Sequence, residues 1–320
     1  MMTNHRIDLR SDTVTRPTAQ MKKAMQEAEV GDDYYRTDPT VQALEEKSAE
    51  ILGKEAALLV LSGTMGNLVS ILAQSQPGQS VILGDNSHIL MNEAGGLSAL
   101  GGLLARPVPA PNGIINVDDA EKALLSARPL SAPTRMLCAE NTHNAAGGRA
   151  LSAQVMNQLC TFAHNHDLKV HIDGARLFNA AIASGHSAAA LVEQADSVTF
   201  CLTKGLGCPT GSIVAGDADF IEEARFKRQL VGGGMRQAGV WAAAGIVALD
   251  TMVERLAEDH AHAKLLATLL ADEGLPCDPR DVETNMVFFE MPDTMMPAQV
   301  FDACRLLGRE HFIVGILGSA

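Results

Sequence analysis

The chain has 320 residues, of which 47% are hydrophobic and only 4% aromatic, and its formal net charge at pH 7 is −13. Lysine and arginine form no long run, so the chain lacks the basic patch that binding to nucleic-acid phosphates requires. The N-terminus has no apolar signal-peptide core, and no apolar run reaches the roughly 18 residues of a membrane span. We therefore expect a cytoplasmic protein that does not contact a membrane.

The six cysteines are scattered along the chain and contain no CxxC pair. This spacing favours reduced thiols over a disulfide framework or a zinc site. We expect no metal site.

Helical and strand patterns alternate between about residues 40 and 250. Apolar residues at helical spacing predict helices over 40–52, 154–166 and 219–230. Short apolar stretches predict strands at 56–61, 80–84, 135–140, 168–173 and 197–202. This alternation predicts an α/β fold, with a mainly parallel sheet that is covered by helices on both faces.

The pattern changes near residue 245. Residues 248–274 predict one long helix, 285–291 are typical of a strand, and 297–307 predict another helix. We expect two domains, with the N-terminal arm and the large domain in residues 1–250 and a smaller α+β domain in residues 251–320.

Four polar side chains lie at the end of a predicted strand or follow it: His88, His143, Asp173 and Lys204. In open parallel sheets, ligands bind beyond the carboxyl ends of the strands. The sequence therefore predicts that four separate stretches of chain bring reactive groups to one edge of the sheet.

Lys204 lies between apolar residues and glycines in TFCLTKGLGCPTGS. Its amine could attack a carbonyl group, and the glycines that follow would let the backbone approach a bulky cofactor. A surface lysine on a glycine-rich loop is the alternative.

Asp173 ends an apolar strand, where a carboxylate is costly unless it has a cationic partner. A protonated pyridine nitrogen would be such a partner, and keeping that proton in place makes the ring an electron sink. The alternatives are an ion pair with Arg176 or a helix cap through the turn at Gly174.

The segment SGTMGN (62–67) offers small residues and backbone N–H groups at the start of a helix, which suits a phosphate group. An ordinary helix cap is the alternative. His88 could stack on a cofactor ring and His143 could handle a substrate proton, although either could be a core histidine. Glu93 could be a second carboxylate near His88, or could begin a helix.

Three further segments have polar or glycine-rich patterns. DLRSDT (8–13) contains Ser11 and could contact a neighbouring subunit or form a simple turn. GDDYYRTDPT (31–40) predicts a solvated loop, and VGGGMRQAG (231–239) could wrap a partner subunit or an anion, or be a flexible turn.

Taken together, these motifs resemble the low-specificity L-threonine aldolases, which belong to the aspartate-aminotransferase-like (fold type I) class of pyridoxal-phosphate enzymes. The resemblance extends to about residue 290 and is carried, in this order, by IDLRSDTVTRPT, EVGDDYYRTDPTV, SGTMGN, NSH, ENTHN, HIDGARLFNA, LTKGLGCPTGS and GGGMRQAG. It implies an aspartate-aminotransferase-like large domain. It also implies a homotetramer with active sites between subunits.

The resemblance implies a role for each matching residue. Catalytic roles are implied for Lys204, His88, His143 and Glu93. Cofactor contacts are implied for Lys204 as the Schiff-base lysine, Asp173 at the ring nitrogen, Gly63 and Thr64 at the phosphate, His88 on the ring, and Arg176 and Arg236. Substrate contacts are implied for Ser11 and Arg176 at the carboxylate, His143 at the β-hydroxyl, and Tyr35.

The sequence departs from the family pattern at three places. Arg36 stands where the family usually has glycine, and Cys208 stands where a small residue is usual. Family members also usually continue past the equivalent of ILGSA with a segment like RLVTH, whose arginine holds the substrate carboxylate. We expect either that the small domain is truncated here or that its last segment has diverged. Without that arginine, Arg176 and Ser11 would bind the substrate carboxylate alone.

The implied activity is cleavage of L-threonine, L-allo-threonine and other β-hydroxy-α-amino acids to glycine and an aldehyde, with pyridoxal 5′-phosphate as cofactor. His143, His88 or a water molecule held by Glu93 could be the base, and the sequence does not choose among them. The alternatives are another fold type I lyase or aminotransferase, or a cofactor-binding protein with impaired catalysis.

Overall fold

A computed structural model describes residues 7–126, 128–289 and 312–314. The helices are α1 (Ala19–Glu27), α2 (Pro39–Leu52), α3 (Gly63–Gln74), α4 (His88–Met91), α5 (Gly96–Ala99), α6 (Val117–Leu125), α7 (Ala153–Asn165), α8 (Leu177–Ser184), α9 (Ala188–Val192), α10 (Ala218–Leu230), α11 (Gly239–Thr251) and α12 (Leu256–Asp272). The strands are β1 (Ile7–Leu9), β2 (Ala56–Val60), β3 (Ser80–Gly84), β4 (Leu104–Val108), β5 (Thr134–Glu140), β6 (Lys169–Asp173), β7 (Ser197–Cys201), β8 (Ser212–Gly216) and β9 (Phe312–Val314).

Seven strands form one mixed sheet in the order β2-β8-β7-β6-β5-β3-β4. Strand β8 runs antiparallel to both of its neighbours, β2 and β7, and the remaining pairs are parallel. The predicted α/β fold with a mainly parallel sheet is confirmed. A separate parallel pair joins β1 to β9.

The central strands are buried because their side chains are apolar on both faces, as expected for a sheet covered by helices. Every residue of β3, β7 and β8 is buried. Gly66 lets α3 lie close against the sheet, since a Cβ atom there would be 2.5 Å from the Cγ2 of Thr199 in β7. This close packing sets the start of α3 at the sheet edge where the parallel strands end.

Two strands of the sheet were not predicted from the sequence. Strand β4 contains Arg106 and Pro107, which obscure the apolar pattern, and proline is tolerated there because β4 is an edge strand. Strand β8 is the short segment SIVAG, in which serine, alanine and glycine flank only two β-branched residues, so its apolar run is short.

The prediction of one long helix over 248–274 was wrong. Helix α11 ends at Thr251 and α12 begins at Leu256, whose side chain is buried in the main core. Leu256 also lies where a Cβ atom on Gly205 would be, at 2.6 Å, so the turn directs α12 over the Lys204 loop.

The rest of the C-terminal prediction is only partly covered by the structure. Residues 286–289 form no strand, and the predicted helix over 297–307 lies outside the described residues. The division into domains at residue 250 stays a prediction. Within the described ranges, no helix has both the length and the apolar character needed to cross a membrane.

Candidate active site

The carboxyl ends of four neighbouring parallel strands meet at one edge of the sheet, as the sequence predicts. His88 begins α4 shortly after β3, Glu140 ends β5, Asp173 ends β6, and Lys204 follows β7. Glu140 and Asp173 are directly opposite each other in the pairing of β5 with β6. We call this edge the active-site rim.

Asp173, Glu93 and His88 form one hydrogen-bonded cluster through Asn67. The Asn67 side-chain nitrogen donates to Glu93 Oε1 at 2.7 Å and to Asp173 Oδ2 at 2.8 Å. Glu93 Oε1 lies 3.0 Å from His88 Nδ1. One side-chain nitrogen or oxygen of each of His88, Glu93 and Asp173 lies within 4.8 Å of the other two.

The orientation of Asn67 is fixed by a second histidine, buried beneath the cluster. His171 Nε2 lies 3.1 Å from Asn67 Oδ1, and its Nδ1 lies 2.9 Å from the Ser197 hydroxyl. Burial lowers the pKa of His171 to about 4, so its ring is neutral near pH 7. The Asn67 amide nitrogen is thereby turned toward the two carboxylates.

The predicted alternatives for Asp173 do not describe its environment. Asp173 is 2% exposed, and its oxygens accept from Asn67 and from the backbone N–H of Ala175. It has no ion pair with Arg176, and α8 begins only at Leu177. A buried carboxylate without a cationic partner among the described residues suits a ligand that carries a protonated nitrogen.

The pKa values of His88 and Glu93 are both raised in this cluster. The hydrogen bond with Glu93 raises the pKa of His88, against the opposing effect of partial burial. Burial raises the pKa of Glu93, and the nearby charge of Asp173 acts in the same direction. The His88 side chain is 35% exposed and Glu93 is bonded to Nδ1, so Nε2 is the nitrogen left for a ligand.

His143 occupies a different environment from His88. It is 2% exposed, its Nδ1 accepts from the backbone N–H of Ala146 at 3.3 Å, and its Nε2 lies 3.8 Å from Glu140 Oε2. Burial lowers its pKa. Gly113 has a φ of +77° and lies against this ring, where a Cβ atom would be 2.5 Å from the His143 Cγ. The predicted contact of His143 with a substrate hydroxyl stays a prediction.

Lys204 lies on the turn after β7, in a backbone conformation with φ of +60°. Its Nζ lies 3.0 Å from the Cys201 sulfur, and its carbonyl oxygen accepts from the Thr15 hydroxyl at 2.7 Å. A positive φ is uncommon for a residue other than glycine and is often found at functional sites. The Cys201 N–H donates to the Ala175 carbonyl at 3.4 Å, which joins this turn to the segment that follows Asp173.

The predicted phosphate turn lies beside Lys204. Gly63 and Thr64 begin α3, and the N-cap Ser62 accepts from Met65 N at 3.2 Å. A Cβ atom on Gly63 would be 2.9 Å from the same Cys201 sulfur that contacts Lys204. The first N–H groups of a helix have no partner within the helix, so this terminus can accept an anion.

Arg176 is paired with the N-terminal segment. Its Nε and Nη2 donate to the two oxygens of Asp12 at 2.7 and 2.8 Å, and its Nη1 donates to Asn144 Oδ1 at 3.0 Å. Asp12 also accepts from the Asn285 side chain at 2.9 Å. Ser11 is exposed and accepts from Thr13, which is the simple turn that the sequence allowed. Contact of either residue with a substrate stays a prediction.

Tyr35 and Arg236 belong to a second, exposed cluster. Arg236 pairs with Asp32 at 3.1 Å and lies over the ring of Tyr34. Tyr35 is 69% exposed and contacts Tyr34 edge to face. Among the described residues of this chain, Tyr35 and Arg236 do not contact Lys204 or Asp173. Any role that they have in catalysis would therefore be at the active-site rim of a neighbouring subunit.

The loop over 31–40 is more firmly held than predicted. Asp33 forms a buried ion pair with Arg228 at 2.7 Å, and Asp38 accepts from the backbone N–H of Val41 and of Gly239. Arg36, at the usual glycine position, has a φ of +59° and pairs with Glu222. The left-handed backbone explains why glycine suits this position.

Sequence reasoning missed Asn67, Glu140 and Asp12 as members of the site. Each lies within or beside a motif that was recognised, but none was assigned a role. Glu140 is the clearest omission, because it is a carboxyl group at the end of an apolar strand, the same signal that identified Asp173.

Comparison with known proteins shows which family the chain belongs to. The family model for beta-eliminating lyases matches residues 8–294. Low-specificity L-threonine aldolase 1 of Arabidopsis thaliana is 48% identical over 292 residues, covering 90% of this chain and 82% of the plant protein. The low specificity L-threonine aldolase of Escherichia coli K12 is 43% identical over 283 residues, covering 88% and 84% of the two chains.

This chain belongs to the low-specificity L-threonine aldolase family. The fold agrees, because the solved structure of Leishmania major threonine aldolase matches with a TM-score of 0.79 at 20% identity, over 92% of this chain and 87% of that one. The resemblance inferred from the motifs is confirmed, as is assignment to the lyases. The roles of individual residues stay predictions.

Proposed function

We propose that this chain uses pyridoxal 5′-phosphate to cleave the Cα–Cβ bond of L-threonine, L-allo-threonine and other β-hydroxy-α-amino acids, which gives glycine and an aldehyde. The observation that supports this most directly is the rim itself. It places a lysine amine beside the start of a helix, and a buried carboxylate without a cationic partner at the end of the adjacent strand. Family membership supports the same activity.

The residues of the rim fit this cofactor. Lys204 would bond to its aldehyde carbon, the first turn of α3 at Gly63 and Thr64 would receive its phosphate, and Asp173 would face its ring nitrogen. A Cβ atom at Gly63 would crowd Cys201, so the close approach of backbone there requires glycine. Asp173, Glu93 and Glu140 make the rim strongly acidic, which favours a protonated ring nitrogen. When bound, the cofactor supplies an electron sink for the bond that breaks.

Among the candidate bases, the geometry favours His88. A base must accept the proton of the substrate β-hydroxyl through a free nitrogen. Glu93 is bonded to Nδ1 of His88 and would stabilise the cation that forms, which leaves Nε2 for the hydroxyl. His143 is buried, and its Nδ1 accepts from Ala146, so it is the weaker candidate.

Arg176 is the described cation best placed to attract a substrate carboxylate. Its guanidinium already binds Asp12 and Asn144, and each of Nη1 and Nη2 retains a second N–H. Ser11 lies next to Asp12 and could complete the contact with its hydroxyl.

We further propose a homotetramer in the cytoplasm, with active sites between subunits. The exposed cluster of Tyr34, Tyr35 and Arg236 supports a subunit contact, because aromatic and arginine side chains are enriched at interfaces.

The activity is tested by incubating the purified protein, saturated with pyridoxal phosphate, with L-threonine and measuring glycine and acetaldehyde. We expect both products in equal amounts. Lys204→Ala should abolish turnover and the visible absorbance of the bound cofactor. Formation of a keto acid instead of acetaldehyde, or full activity of Lys204→Ala, would refute the proposal.

A further inference from the structure

Glu140 connects the loops that carry the candidate active-site residues. Its Oε2 accepts from the backbone N–H of His88 at 2.7 Å, and its Oε1 accepts from the backbone N–H of Asn144 at 2.7 Å. The residue is 6% exposed. Both oxygens of one carboxyl group therefore hold the backbone of two loops, one after β3 and one after β5.

The connection continues beyond Asn144. The side-chain oxygen of Asn144 accepts from Arg176, which in turn binds Asp12 through two hydrogen bonds. An unbroken series of bonds thus links His88 at one side of the rim to the N-terminal segment at the other. Glu140 is the only member of this series that bonds His88.

We propose that Glu140 is a positioning residue, which holds His88 and the Asn144–Arg176 pair in their working arrangement. This inference rests on the proposed function, since it assigns His88 and Arg176 to the reaction. Glu140 acts through the hydrogen bonds that it accepts from two backbone N–H groups, and it need not touch the substrate.

The ionised carboxylate is the form that suits this role. Both oxygens of a carboxylate accept strongly, whereas a protonated carboxyl group keeps one strong acceptor and has a hydroxyl at the other position. Burial raises the pKa of Glu140 to about 7, and the charge of Asp173 on β6 acts in the same direction. His88, on the loop after β3, lowers that pKa, and His143 and Arg176 are the other titratable groups that face it.

The substitutions Glu140→Gln and Glu140→Ala test the proposal. The amide of Glu140→Gln retains one acceptor and turns an NH₂ group toward the other backbone N–H, and Glu140→Ala removes both acceptors. Glu45→Gln is a matched control, because Glu45 also accepts a backbone N–H, from Leu59 at 2.8 Å, and pairs with Arg225 away from the rim. Burial raises its pKa as well.

The first measurement is amide hydrogen exchange of the cofactor-free proteins, which does not depend on activity. We expect faster exchange in both segments, 87–92 and 142–146, of Glu140→Ala, because both acceptors are removed. In Glu140→Gln we expect faster exchange in at least one of the two segments, and in Glu45→Gln we expect wild-type exchange in both. Exchange at wild-type rates in both segments of Glu140→Gln would overturn the proposal. Because Glu140→Gln preserves the size of the side chain, it keeps the test decisive if Glu140→Ala does not fold.

The second measurement is the pH profile of kcat for L-threonine in the cofactor-saturated enzymes. Loss of a hydrogen bond to a charged group should lower kcat by about tenfold or more in Glu140→Gln. The wild-type rate should fall as acid protonates Glu140, and Glu140→Gln should lack this inflection while retaining that of His88. An unchanged profile, or an equal loss in Glu45→Gln, would contradict the positioning role. A wild-type enzyme that is inactive on threonine would instead refute the proposed function, and leave the exchange result to decide the role of Glu140.

Discussion

Arg176 binds Asp12 through two hydrogen bonds, although Asp173 is only three residues away from it in sequence. The pair is buried, with side-chain exposures of 6% for Arg176 and 8% for Asp12. This arrangement leaves Asp173 without an ion pair to a lysine or arginine in the described part of the chain. It also closes the N-terminal segment over the turn that carries Lys204. The pairing of Asp12 with Arg176 thus affects the proposed cofactor site at both Asp173 and Lys204.

Asp12→Asn should destabilise the protein by about 3 kcal/mol, because it leaves a buried guanidinium without its counter-charge. Burial opposes ionisation of Asp12, but its hydrogen bond with Arg176 and the nearby charges outweigh this and lower its pKa below 3.8. Its stabilising contribution is therefore complete above about pH 4 and is lost as the pH falls through the lowered pKa. Urea denaturation of both proteins at pH 7 and pH 3 measures the difference, which should be smaller at pH 3. An equal difference at the two pH values would contradict this role.

Asn67→Ala should weaken cofactor binding by about tenfold or more, because it removes the amide that bonds both Asp173 and Glu93. The two carboxylates would then lose a shared donor and repel each other. Titration of the visible cofactor band measures the affinity. Asn157→Ala, on α7, is the control and should bind the cofactor like the wild type. Equal affinities of wild type and Asn67→Ala would show that Asp173 does not depend on this bond.

Glu93→Gln should move the His88 inflection, on the acid side of the pH–rate profile, to lower pH. As a base, His88 must be neutral, so the rate falls when the pH drops below its pKa. The Glu93 hydrogen bond raises that pKa, and its removal should bring the value down. The profile of kcat/KM for L-threonine measures the shift. If Glu93→Gln leaves this inflection in place and His143→Asn abolishes it, His143 would be the base instead.

Gly63→Ala should weaken cofactor binding, because its methyl group would lie 2.9 Å from the Cys201 sulfur. Displacing the sulfur would also disturb Lys204, whose Nζ contacts it. Cys201→Ala should restore part of the affinity in the double variant, since it makes room for the methyl group. A double-mutant cycle on the cofactor dissociation constant measures this coupling. Strictly additive effects would show that the two residues do not meet.

The sequence alone determined most of the order of elements and three of the residues at the rim. Apolar stretches of five to six residues located five of the strands to within about a residue, and polar residues at their ends named His88, Asp173 and Lys204. The prediction of these strands and rim residues succeeded because buried parallel strands need apolar side chains on both faces, and because their carboxyl ends share one edge of the sheet. The prediction failed for β4, where Arg106 and Pro107 interrupt the pattern, and for β8, whose apolar run is short. It also failed for the helix that divides into α11 and α12.

Only the tertiary structure decided which side chains are partners. Asp12 and Arg176 are 164 residues apart, and Asn67 and Asp173 are 106 apart, so no local pattern could pair them. The structure also separated His88, with a nitrogen available at the rim, from His143, which is buried behind Gly113. Strand periodicity depends on neighbouring residues, whereas the pairing of buried charges depends on which loops the packed sheet brings together.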